Sequence, residues 1–380
     1  MTDQPPPPWQ PPSWPPQHPG LPPYPGTPQQ QPGQPVRPFY AYAPQPNQPA
    51  SPGARAFPHP EPTPYHSMLR TWSYATWKPI VGVIIVVVAF FVVTALVYIV
   101  VAGIAAIFQD GSWIDNFIDS GDIKKNVSAS TLLGLNLGLG SLILVTWFVI
   151  RVVHGMRPRW LTSVVPRMRW KFFLVCLGLA AVALLAQIVV GSALPGGNGA
   201  GVEGKVNDFT TSTALAAIVV LLTTPLQAAG EEFVFRGYLL QAFGSLSRNK
   251  WVAIVGTALL FALAHGTQNF PLFFDRLAFG LIAGWLVCRT GGLEAGIALH
   301  VLNNFLAFGL ALSFGDLSST LNVTEASWWN IVLTVTQSGV YVGLVLLVAR
   351  KMDLQTLTRP PASQPSGAPT GTVGGDLATA

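Results

Sequence analysis

Two adjacent glutamates and an arginine stand near the end of a long apolar run, in AGEEFVFRG, residues 229–237. Charge at bilayer depth is costly, so Glu231, Glu232 and Arg236 need a purpose there. Later apolar runs carry two histidines, His265 in FALAH (261–265) and His300 in HVLNN (300–304). A carboxylate and an imidazole are the usual partners in general acid–base chemistry. Spacing sorts these groups. Glu232 and Arg236 are four apart, share a helix face and can form an ion pair, which lowers the burial cost of both. Glu231 is about 100° further round, points elsewhere and can serve a water-filled pocket. Phe261 and His265 are four apart, as are His300 and Asn304, so that an imidazole and a carboxamide fall side by side.

These residues need elements that hold them inside a membrane. Half of the 380 residues are hydrophobic and only 10% are charged, against about 25% charged in a soluble protein. The formal charge is +5 and the pI about 9.3. The positive residues flank apolar runs, so the basic balance reads as membrane topology and not as nucleic-acid binding. Both cysteines, Cys176 and Cys288, fall inside apolar runs, which excludes a disulfide framework.

Eight spans are predicted, at 79–108, 129–150, 172–195, 213–243, 251–268, 271–288, 293–314 and 328–349, in an all-α polytopic bundle. The fifth and sixth are short; a re-entrant pair is the alternative to two crossings. Residues 151–171 hold Arg151, Arg157, Arg159, Arg167, Arg169 and Lys171 and no acidic residue, which predicts a cytoplasmic loop. Arg70, Lys78, Arg248, Lys250, Arg350 and Lys351 fall on the same side, and acidic or mixed loops alternate with them. A multi-pass protein of the cell membrane with both termini cytoplasmic follows. Sequons at Asn126 and Asn322 fall in external loops and matter only in a eukaryote. Gly134/Gly138 and Gly280/Gly284 mark close helix packing.

A membrane domain over 79–350 is flanked by two tails. Residues 1–70 are proline-rich at the start (PPPPWQPPSWPPQHPG) and are expected to form a disordered cytoplasmic tail; a proline-binding module is a candidate partner for it. Residues 352–380 are expected to be disordered too. By rise per residue, His300 lies about 10 Å from the cytoplasmic end of its helix, Glu231 about 18 Å and His265 about 20 Å. They occupy one zone, in which they can converge.

At this point the chain resembles a family. EEFVFRG is similar to the EExxxR motif of the CPBP (CAAX protease and bacteriocin-processing) intramembrane proteases, FALAH to their FxxxH and HVLNN to their HxxxN. The resemblance covers about residues 213–312, which would be the protease core. It implies glutamate-dependent, metal-free peptide hydrolysis: Glu231 and His265 would hold and activate water, His300 and Asn304 would stabilise the oxyanion, and Glu232 and Arg236, with Phe261, would support the site. The substrate would be a membrane-associated peptide or protein. Three alternatives stand beside it. Zinc would accept two histidines and a glutamate, although the HExxH helix is absent. A scaffold or immunity-type protein would use the same fold to bind a partner. A transporter would also place ionisable groups at the midplane, but no internal two-fold repeat is visible.

Overall fold

The computed structural model describes residues 58–108, 127–195, 206–315 and 317–359. The disorder expected for 1–57 and 360–380 lies outside them, as do the Asn126 sequon and the acidic loop residues Asp110, Asp115, Asp119, Asp122, Glu203 and Asp316.

Among the described residues the regular elements are helices. They are α1 (Trp77–Phe108), α2 (Ala129–Val152), α3 (Trp170–Ala193), α4 (Thr211–Glu232), a π-helical stretch (Phe233–Leu239) that runs on into α5 (Leu240–Ser247), α6 (Lys250–Ala264), α7 (Phe270–Thr290), α8 (Glu294–Phe314), α9 (Leu317–Leu321) and α10 (Trp329–Lys351). Among the described residues, seven helical stretches are long and apolar enough to cross a membrane by length and composition, with α4, the π stretch and α5 counting as one. Together they make a multi-pass membrane protein. The most apolar, α1, leaves Phe91 69% and Ile107 78% exposed, as a lipid-facing helix does.

The expected fifth span, 251–268, is the exception in length. The helix there, α6, has 15 residues, about 22 Å. It stops at Ala264; Gly266 takes φ +83°, a left-handed conformation that favours glycine, and Gln268 Nε2 donates to the Ala262 carbonyl at 2.8 Å. The shorter helix still joins opposite ends of the bundle. Asn249 caps its start directly after α5, and beyond its end Asn269 Nδ2 donates to Ala326 O at 2.9 Å beside the loop before α10.

Glycines set the closest contacts. Gly134 and Gly138 of α2 face Tyr98 and Thr94 of α1, and Gly280 of α7 faces Ala258 of α6. The end of the bundle that carries the basic loops is closed by chain crossing over it. Val164 N donates to Gly291 O at 2.8 Å, and Leu293 N to Thr162 O at 2.9 Å.

Part of each segment expected to be tail is folded. Residues 58–70 fold against this end: Tyr65, Met68 and Leu69 are buried, the Tyr65 hydroxyl donates to Leu161 O, and His59 packs edge-on to Trp160 with ring centroids 5.1 Å apart. Burial pushes the His59 imidazole below its ordinary range. Residues 352–359 fold as well. Thr358 N donates to Thr63 O at 3.0 Å, and Thr63 N donates to the Thr358 hydroxyl at the same distance. Proline content alone does not set these boundaries: a few apolar side chains order a segment when a surface stands opposite to receive them.

Glu294 is fully buried at the start of α8. Arg169 holds it in a fork, Nε to Oε1 at 2.8 Å and Nη2 to Oε2 at 2.6 Å, and Arg169 Nη1 donates to Thr290 O at 2.7 Å. This clamp ties the loop before α3 to the α7–α8 corner. Lysine keeps the charge and loses the planar fork. Arg169→Lys should therefore destabilise the protein by about 1–2 kcal/mol, read as a lower unfolding midpoint in detergent. An unchanged midpoint would mean that the fork adds nothing beyond its charge.

Candidate active site

The site begins at a close helix contact. A side chain at Gly230 would run into the Leu139 carbonyl, so only glycine lets α4 lie this near α2. The next two residues are Glu231 and Glu232, and after them the helix widens into its π stretch, a feature frequent at functional sites.

Glu232 and Arg236 are both fully buried, and Arg236 Nη1 donates to Glu232 Oε1 at 2.8 Å. The guanidinium lies over the Phe261 ring at 4.2 Å and near that of Phe279 at 5.1 Å, aromatic faces that offset its desolvation. The same Glu232 oxygen meets His300 Nδ1 at 3.0 Å. A carboxylate only accepts, so Nδ1 carries the proton and Nε2 faces the other way. It faces Glu231: Nε2 and Glu231 Oε2 are 3.6 Å apart. That is longer than a direct hydrogen bond, so both atoms stay available to a third group. One turn before His300 on α8, a side chain at Gly296 would come within 2.8 Å of Glu232 Oε2; glycine there makes room for the carboxylate.

Glu231 is held from its own helix. Gln227 Nε2 donates to Glu231 Oε1 at 2.6 Å, and Asn304 Nδ2 of α8 donates to Gln227 Oε1 at 2.8 Å. His265 sits just past the end of α6, where its Nδ1 donates to the Phe261 carbonyl at 2.8 Å, which leaves Nε2 as the free ring nitrogen. The Phe261 ring stands between the two imidazoles, 4.7 Å from His265 and 5.9 Å from His300.

Glu231, His265, His300 and Asn304 line one cavity of ≈ 460 Å³, together with Gln227 and the apolar side chains of Phe90, Leu135 and Leu139. Asp275 and Arg276, 3.4 Å apart, line it too, and Asp275 Oδ1 accepts from Thr334 of α10 at 2.6 Å. The residues singled out from the sequence thus come together in two layers. Glu231, His265, His300 and Asn304 border the cavity; Glu232 and Arg236 lie behind, with Phe261 between. One detail differs from expectation: His265 caps a helix where an interior position was expected, because α6 is short. Asn304 lies one turn after His300 and bonds Gln227, a partner on another helix. Gln227 itself was missed. Its four-residue spacing ahead of Glu231 was the signal that could have found it. Among the described residues, no group of three or more His, Cys, Asp or Glu is arranged to hold a metal ion.

A multi-pass helical membrane protein in which a glutamate and two histidines border one cavity, with a buried Glu–Arg pair behind them, is the class that fold and site define. Comparison narrows it: residues 212–306 match the family model described as type II CAAX prenyl endopeptidase Rce1-like. The matched stretch runs from α4 into α8 and holds Gln227, Glu231, Glu232, Arg236, Phe261, His265, His300 and Asn304. The uncharacterized protein YyaK of Bacillus subtilis (strain 168) is 30% identical over 148 residues, which is 36% of this chain and 49% of that relative. The chain thus spans about half the length of the curated relative it matches. No solved structure matches it.

Proposed function

We propose that the protein is an intramembrane endopeptidase that hydrolyses peptide bonds of membrane-associated peptides or proteins with water activated by Glu231 and His265. One observation carries this reading: Glu231 Oε2 and His300 Nε2 face each other at 3.6 Å across the cavity wall, with His300 held from behind by Glu232. The Rce1-like match over residues 212–306 supports it.

In this scheme a water in the cavity donates one proton towards Glu231 Oε2 and is held through its other by His265 Nε2. The water oxygen bonds to the carbonyl carbon as its proton passes to Glu231, and the carbonyl π pair moves onto oxygen. His300, when protonated, donates through Nε2–H to that oxyanion, and the second amide hydrogen of Asn304 adds to it. Collapse breaks the C–N bond, and the departing nitrogen takes the proton back from Glu231. Glu232 and Arg236 never touch substrate; they fix the His300 ring.

The test is a comparison of new N-termini in the membrane fraction of cells making the parent protein or Glu231→Gln. Cleavage sites present only with the parent support the proposal, and identical sets of termini overturn it.

The basic loops, together at one end, support an orientation with that end and both termini in the cytoplasm of a cell-membrane protein. Reporter fusions should read external at residue 115 and cytoplasmic at residue 163. A cytoplasmic signal at 115 would reverse the orientation.

A further inference from the structure

Gln227 is absent from the three sequence motifs, and its hydrogen bonds settle a point that those motifs leave open: which oxygen of Glu231 is free to work. Gln227 is 7% exposed and lies one turn before Glu231 on α4. Its amide is fixed at both ends. Glu231, as a carboxylate, can only accept, so the NH₂ of Gln227 must face Oε1, at 2.6 Å. The carbonyl of Gln227 must then face Asn304, whose Nδ2 donates to it at 2.8 Å. The order Asn304, Gln227, Glu231 has one consistent direction of donation, from α8 into the carboxylate.

We infer that Gln227 is a positioning residue that occupies Glu231 Oε1 and so makes Oε2 the proton-accepting oxygen of the site. A proton placed on Oε1 would make that oxygen the hydroxyl of the acid, a poorer acceptor than a carbonyl, and so weaken the bond from Gln227. A proton on Oε2 has no such effect, and Oε2 is the oxygen that faces His300 Nε2 at 3.6 Å. The same amide turns the NH₂ of Asn304 towards α4 and leaves its second N–H for the cavity. The inference rests on the proposed hydrolysis for its catalytic meaning, but the hydrogen bonding stands apart from it. The other charged or titratable groups around Glu231 are Glu232 and Arg236 on its own stretch of chain, His300 on α8, His265 after α6, and Asp275 and Arg276 on α7, which line the same cavity. Among the described residues, none of them hydrogen-bonds Oε1.

The test uses the full chain in detergent and isotope-edited infrared spectra of ¹³C-glutamate-labelled protein at one fixed, mildly alkaline pH. The Glu231 carboxylate band is the one lost in Glu231→Gln. A carboxylate bonded on one oxygen has unequal C–O bonds, which widens the gap between its antisymmetric and symmetric stretches. Gln227→Leu, close in size and without donors, should narrow that gap. Gln227→Met, more flexible, is the second variant should the first fold poorly. A Glu231 gap unchanged in a folded Gln227→Leu or Gln227→Met protein overturns the inference. Substrate-dependent turnover separates the two claims. Intact processing by Glu231→Gln with a narrowed gap in Gln227→Leu would sink the hydrolysis and keep the positioning. The reverse pair of results would do the opposite. Where both stand, Gln227→Leu should lower kcat by about tenfold with KM nearly unchanged, the mark of an interaction that matters in the transition state.

Discussion

Glu231→Gln should fold and insert as the parent protein does and lose about 100-fold or more of its processing activity. Glutamine has nearly the same size and shape and cannot take a proton from water. The structural cost is small for a specific reason: Glu231 sits beside the cavity, makes its one short hydrogen bond to a neutral amide, and is not part of the fully buried pair behind it. His265→Ala should match the loss, since its free Nε2 is the second acceptor for water. His300→Ala and Asn304→Ala should each cost roughly one to three orders of magnitude, as donors to an oxyanion do. The measurement is the rate at which Glu231-dependent termini appear, normalised to folded protein. A protein that uses this fold only to bind a partner would show another pattern, with Glu231→Gln nearly silent and each remaining loss following folded yield. A folded Glu231→Gln variant with full processing would therefore remove the protease proposal and favour the scaffold.

Arg236→Ala should fail for a different reason. It leaves Glu232 fully buried without its cation, and breaking such a pair typically costs about 3–5 kcal/mol. The guanidinium also fills the space over Phe261, so the loss includes packing. Folded yield should drop with activity. Arg236→Ala combined with Glu232→Gln removes the stranded charge and should recover part of the yield. Activity should not recover, because Glu232 also holds His300 Nδ1 at 3.0 Å and a glutamine there weakens the constraint on the ring. Yield by gel filtration and processing rate, measured on the same preparations, separate the two effects. A double variant no better folded than the single would show that the pair is energetically uncoupled.

Much of this was legible in the chain because the membrane enforces a strict code. Long apolar runs must become helices, since backbone polar groups have no other partner in lipid. The basic loops mark one side. Against that background a buried charge stands out, which is why Glu231, Glu232, Arg236, His265 and His300 could be named without coordinates. The four-residue spacing of Glu232 and Arg236 also sufficed to pair them, because both ends of that contact lie on one helix.

What lies between helices depended on the tertiary structure. Spacing placed His300 one turn before Asn304 and named no partner for either. The packing of α8 on α4 gave the His300 ring to Glu232 and Asn304 to Gln227, since each side chain bonds the nearest complementary group whichever helix carries it. Composition marked residues 58–70 and 352–359 as tail, yet they lie across the basic end, because burial is decided by what surface stands opposite and not by local sequence alone. Hydropathy made α6 a full span, but its helix ends at Ala264, and that early end sets His265 at the cavity. The sequence by itself determined which ionisable side chains the membrane helices carry. The tertiary structure decided which atoms of those residues face one another, because hydrogen-bond partners on different helices are chosen by distances of a few tenths of an ångström that no spacing along one chain encodes.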